Sequence, residues 1–71
     1  MAHQSLVIVG KTVRKLREKV GISQEALAED AGIHRTYMGR VERGRQNISL
    51  LNLIKVAKAL KVHPSLLLKD L

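Results

Sequence analysis

Glycine at positions 21, 32 and 44 punctuates a chain whose apolar residues recur every three or four positions, a pattern that leaves room for little except a set of short helices. Val9, Val13, Leu16 and Val20 form the apolar stripe of a first helix, with Lys11, Arg14, Lys15, Glu18 and Lys19 on its other faces. Gly21 is placed to end it. Ser23, with Gln24 and Glu25 behind it, N-caps a short second helix that turns Leu27 and Ala31 inward and stops near Gly32. A third helix starts at His34 or Arg35 and stops at Gly44, leaving Arg45-Gln46-Asn47 as a loop. Ser49 caps a fourth, whose apolar positions Leu50, Leu53, Ile54, Ala57 and Leu60 keep helical spacing to about Lys61. Proline is tolerated in the first turn of a helix, so Pro64 to Lys69 reads as a short fifth helix. Met1 to Ser5 reads as a flexible tail.

At 71 residues, 1–71 is one domain with one small core, and the abundance of Leu, Val, Ala and Lys beside a single aromatic residue, Tyr37, makes it all-α. Thirteen Lys and Arg against six Asp and Glu give a formal charge of +7, which suits a polyanionic partner. The chain has no cysteine, which fits a cytoplasmic protein and excludes disulfides and thiolate zinc sites. His3, His34 and His63 are scattered without metal-ligand spacing, the serines are explained as loop or cap residues, and no glycine-rich phosphate loop is present. The sequence therefore predicts no metal, no cofactor and no catalytic residue. Its longest apolar runs, Leu6 to Val9 and Leu66 to Leu68, fall far short of the ~20 residues of a membrane span.

The third helix carries the functional signal. At about 100° per residue, Tyr37, Met38 and Val41 share one side, and Arg35, Thr36, Gly39, Arg40 and Arg43 share the other. The apolar side faces the core, so the outward side is a basic strip with a glycine at its middle, at a cost of roughly 1 kcal/mol relative to Ala. A helix without a side chain there can approach a partner surface closely. The major groove of DNA admits one helix and offers guanine edges that an arginine fork reads bidentately. Arg35 and Arg40 are the expected base readers, with Thr36 beside them. Arg43, at the helix end, is expected on a phosphate.

The pattern Val9-Gly10-x-x-Val13-Arg14-x-Leu16-Arg17, Gly21-Ile22-Ser23-Gln24-Glu25-x-Leu27-Ala28, Ala31-Gly32-Ile33 and Tyr37-Met38-x-x-Val41-Glu42-Arg43-Gly44 resembles the phage-repressor/Cro helix-turn-helix family, also called the xenobiotic-response-element family. The resemblance runs from about Val9 to Leu68. Within that family, His34 to Tyr37 and Gly44 to Leu50 look most like the controller proteins of restriction-modification systems. The resemblance implies a five-helix, lambda-repressor-like domain in which helices two and three form the helix-turn-helix and helix three enters the major groove. It implies that His34, Arg35, Thr36 and Arg40 face bases, that Gln24, Arg43, Arg45, Gln46 and Asn47 contact the DNA backbone, and that Arg17 and Glu42 form a structural ion pair.

Leu66 stands where the family commonly has a polar residue, and such a surplus apolar position suggests an interface. The expectation is a homodimer through the C-terminal helix, about 64–71, and the end of helix four, with Leu66 and Leu71 in contact. Such a dimer reads an inverted repeat on double-stranded DNA. An activator of this kind would also touch RNA polymerase. The competing reading is an antitoxin or adaptor whose main partner is another protein. Membrane binding is disfavoured, because the core claims the apolar helix faces.

Overall fold

Side-chain caps set where the helices begin. The computed structural model describes residues 3–71 as α1 (Gln4–Val20), α2 (Gln24–Ala31), α3 (Arg35–Glu42), α4 (Leu50–Ala59) and α5 (Pro64–Leu68). Ser23 Oγ accepts the backbone N–H of Ala26, and Ser49 Oγ accepts that of Asn52. The other three helices are all capped by histidine: the Nδ1 atoms of His3, His34 and His63 accept from Ser5, Thr36 and Ser65. The cap at His3 starts α1 five residues before Val9, so Gln4 and Ser5 belong to the helix and not to a tail. Met1 and Ala2, the remainder of the expected tail, lie outside the described residues.

The core collects Val9 and Val13 from α1, Leu27, Ala28 and Ala31 from α2, Met38 and Val41 from α3, Leu53, Val56, Ala57 and Leu60 from α4, and Leu67 from α5. Two sequence expectations are corrected here. Val20 is exposed at the last turn of α1, and α4 turns Val56 inward while Leu50 and Ile54 stay outside. Residues 56, 60, 53, 57, 50, 54 and 51 cover a continuous apolar arc of roughly 220° on the α4 wheel. A core can cover only half of such an arc, and spacing alone does not say which half.

Two glycines let α1 lie directly on the end of α3. A Cβ on Gly10 would overlap the Val41 carbonyl oxygen and lie 2.8 Å from that of Glu42, and both are backbone atoms that cannot step aside. Gly44, at φ +72°, turns the chain out of α3 where a Cβ would sit 2.6 Å from Val7 Cα. α3 is thereby fixed to α1 by backbone contact. On its other side, α3 packs on α2 across the turn Gly32-Ile33-His34. Ile33 donates its N–H to the Ala28 carbonyl and packs its side chain against the core, which locks the angle between the two helices. Among the described residues no helix is long and apolar enough to cross a membrane.

Candidate nucleic-acid interface

The outward face of α3 presents exposed Arg35, Thr36 and Arg40, with Arg43 at its C-cap. Buried Met38, Val41 and Glu42 and half-buried Tyr37 occupy the inward side. Exposed His34 stands at the N-cap. Because its Nδ1 accepts the Thr36 N–H, the neutral ring carries its proton on Nε2, the only ring nitrogen left to meet a ligand, and that nitrogen can only donate. Arg35 Nη1 lies 3.5 Å from Glu25 Oε1, an exposed pair that the sequence reading did not anticipate and that is worth at most a few tenths of a kcal/mol.

Beneath this face lies a polar network. Arg17 donates from Nε to Glu42 Oε2 at 2.7 Å and from Nη2 to Glu42 Oε1 at 3.0 Å, while its Nη1 reaches the Ile22 carbonyl at 2.9 Å. The hydrogen bond to Glu42, reinforced by the charges of Glu42 and Glu18, holds the Arg17 guanidinium above its ordinary pKa against the opposing effect of burial. Gln24 joins by donating from Nε2 to Glu42 Oε1 at 3.0 Å. No buried side-chain nitrogen or oxygen among the described residues lacks a partner. The network ties α1, the start of α2 and the end of α3 together, which fixes α3 in three dimensions.

Gln24 therefore does not stand free at the start of α2. Glu42 takes one of its amide hydrogens, and its Oε1 lies 3.5 Å from the point where a Cβ on Gly39 would be. Gly39 itself is buried, unlike the open mid-strip position expected of it. The Arg43 guanidinium lies over it, with Nη1 3.2 Å from that same point. Gln24, Glu25, Arg35, Thr36, Gly39 and Arg43 line a shallow depression of about 300 Å³ between α2 and α3.

After Gly44 the chain carries exposed Arg45 and Asn47 and half-buried Gln46 beside the end of α3. Arg45 donates its N–H to the Arg40 carbonyl, and the Ser49 N–H donates to Tyr37 Oη at 3.3 Å, so both ends of the loop are tied to α3. The expected interface leucines differ in exposure. Leu71 is exposed, whereas Leu66 is half-buried in a cleft between α1 and α5. The larger exposed apolar group is at the start of α4, where Leu50 and Leu51 are each 70% exposed and Ile54 lies beside them in the helical repeat.

A short helix held by a tight turn against its predecessor, with arginines and a threonine outward on a rigid base, defines a helix-turn-helix DNA-binding protein. The chain belongs to the helix-turn-helix family, whose profile matches residues 13–67. It is 44% identical over 69 residues to the control protein C.BamHI of Bacillus amyloliquefaciens, covering 96% of this chain and 85% of that protein. It is also 48% identical over 64 residues to the control protein C.SmaI of Serratia marcescens, covering 89% of this chain and 76% of that protein. Among solved structures, the restriction-modification controller protein C.AhdI of Aeromonas hydrophila superposes with a TM-score of 0.90 at 46% identity, covering 92% of this chain and 98% of that one. The chain is a DNA-binding transcriptional regulator and not an enzyme.

Proposed function

We propose that the protein is a cytoplasmic controller of restriction-modification gene expression that binds an inverted-repeat operator as a homodimer. The observation that carries this reading is the outward face of α3, where Arg35, Thr36 and Arg40 are exposed on a helix pinned to α1 and α2. Placed in the major groove, Arg35 and Arg40 reach guanine O6 and N7, and Thr36 meets a base edge or a thymine methyl, each good contact discriminating by about 1–3 kcal/mol. His34 adds a single donor from Nε2. Arg43, Arg45, Gln46 and Asn47 lie along the flanking phosphates, and Gln24 contributes at the N-terminus of α2, where free N–H groups and the helix dipole favour an anion.

The similarity to controller proteins supports the regulatory setting, and the exposed Leu50, Leu51 and Ile54 supply a surface for a second copy. Selection of bound fragments from a random-sequence DNA pool at near-physiological salt tests the reading. Enrichment of a two-fold site is the expected result. Binding without enrichment would reduce Arg35 and Arg40 to phosphate contacts and overturn sequence-specific regulation.

A further inference from the structure

We propose that Gly39 is a positioning residue, kept free of a side chain so that the Arg43 guanidinium rests across it beside the Gln24 carbonyl oxygen as a preformed phosphate contact. The proposal rests on the DNA-binding reading above and adds a role to a residue that touches no ligand itself. Gly10 and Gly44 are required by the fold, because a Cβ at either would strike backbone atoms. Gly39 is different. Its φ is not positive, and the atoms nearest its missing Cβ are the tip of the Arg43 side chain at 3.2 Å and Gln24 Oε1 at 3.5 Å. Alanine would fit once Arg43 moved, and it would favour the helix. Folding alone therefore gives no reason for glycine.

What glycine permits is the seat of Arg43. A side chain four residues further along a helix leans back over the earlier position, and with no Cβ beneath it a planar guanidinium can lie against the helix backbone. The network below supplies the second wall. Because Glu42 binds Gln24 Nε2 and Arg17 holds Glu42 from two nitrogens, the Gln24 amide is held with its oxygen 3.5 Å from the Gly39 Cβ point that Arg43 Nη1 also approaches. Arg43 and Gln24 both line the depression between α2 and α3. The carboxylate that shares this depression, Glu25, is paired with Arg35 at 3.5 Å. Arg43 thus meets a phosphate with its rotamer already chosen, and Gln24 acts on DNA largely through Arg43.

Stability and binding then move in opposite directions. Gly39→Ala melts higher, by about 4 °C for a domain of this size, while affinity for a two-fold duplex from the selected pool falls roughly a hundredfold, about tenfold for the one hydrogen-bonded charge contact in each half-site. Arg43→Ala loses at least as much and lowers the salt slope by about 1.8, for one phosphate in each half-site. The double variant binds no more weakly than Arg43→Ala alone. Equal affinity of Gly39→Ala and the unaltered chain, or losses that multiply in the double variant, would overturn the proposal. A readout without DNA separates this from the proposed function: the ¹H–¹⁵N NOE of Arg43 Nε is high in the free protein and falls in Gly39→Ala. An Nε equally mobile in both would remove the seat even if DNA binding is specific, and a rigid Nε in a protein that selects no DNA would leave the seat standing while the functional reading fails.

Discussion

Glu42 accepts three hydrogen bonds on two oxygens with its side chain 2% exposed, facing an Arg17 side chain that is 13% exposed. Removing only the carboxylate leaves a guanidinium and an amide without their partner in a nearly dry site. Glu42→Ala should therefore cost about 3 kcal/mol in urea denaturation, whereas Arg17→Met combined with Glu42→Leu should cost less than that single change, because no charge is then stranded. The raised pKa of Arg17 means its contribution is fully present below the unfolded arginine value and is lost only as pH rises through the still higher folded value. Urea midpoints across neutral and mildly alkaline pH should show no loss traceable to Arg17. The pair is separated by 25 positions, so no local spacing reveals it, and family likeness alone pointed to it. The side the Gln24 amide turns outward was not readable at all, since that depends on which neighbour holds the carboxylate. The histidine caps were missed for a related reason: an imidazole competes with Ser or Asp for such a position only once the local turn aims Nδ1 at the N–H two residues on.

Helix existence was readable because each element carries its own periodicity and its own cap, and the chain follows both at Ser23 and Ser49. Ends depended on local backbone that the periodicity does not encode. The reading carried α4 to Lys61, but the helix stops at Ala59, and Lys61 enters the left-handed region at φ 59° while Val62 donates to the Ala57 carbonyl. Glycine is the usual residue at such a point, and a lysine there carries strain of about 1 kcal/mol. Lys61→Gly should consequently stabilise the domain by up to roughly 0.5 kcal/mol, the strain relieved less the added freedom of the unfolded chain. A drop in the urea midpoint would show that the Lys61 side chain makes a compensating contact. The same helix shows why its buried face was misread at two positions: an apolar arc too wide for the core does not itself mark the part left over.

The described residues span 27 Å in the longest direction, less than one turn of duplex at about 34 Å, so a single copy cannot place helices in two successive major grooves. In the proposed dimer a second copy supplies the second half-site, and its seat must be exposed, apolar and away from α3. Leu50 and Leu51, each 70% exposed, and Ile54 beside them meet those conditions, whereas Leu66 is half-buried between α1 and α5. Leu51→Lys should leave the urea midpoint within about 0.5 kcal/mol of its original stability, as expected for an exposed site, and yield monomers in sedimentation at concentrations where the unaltered chain is dimeric. Each monomer still carries its phosphate contacts, so DNA binding should persist with a salt slope near half the original and without preference for the inverted repeat. Leu71→Lys tests the segment that follows α5 in the same way. If that change dissociates the dimer while Leu51→Lys does not, the interface lies at the C-terminal segment after α5 and not on the α4 leucines.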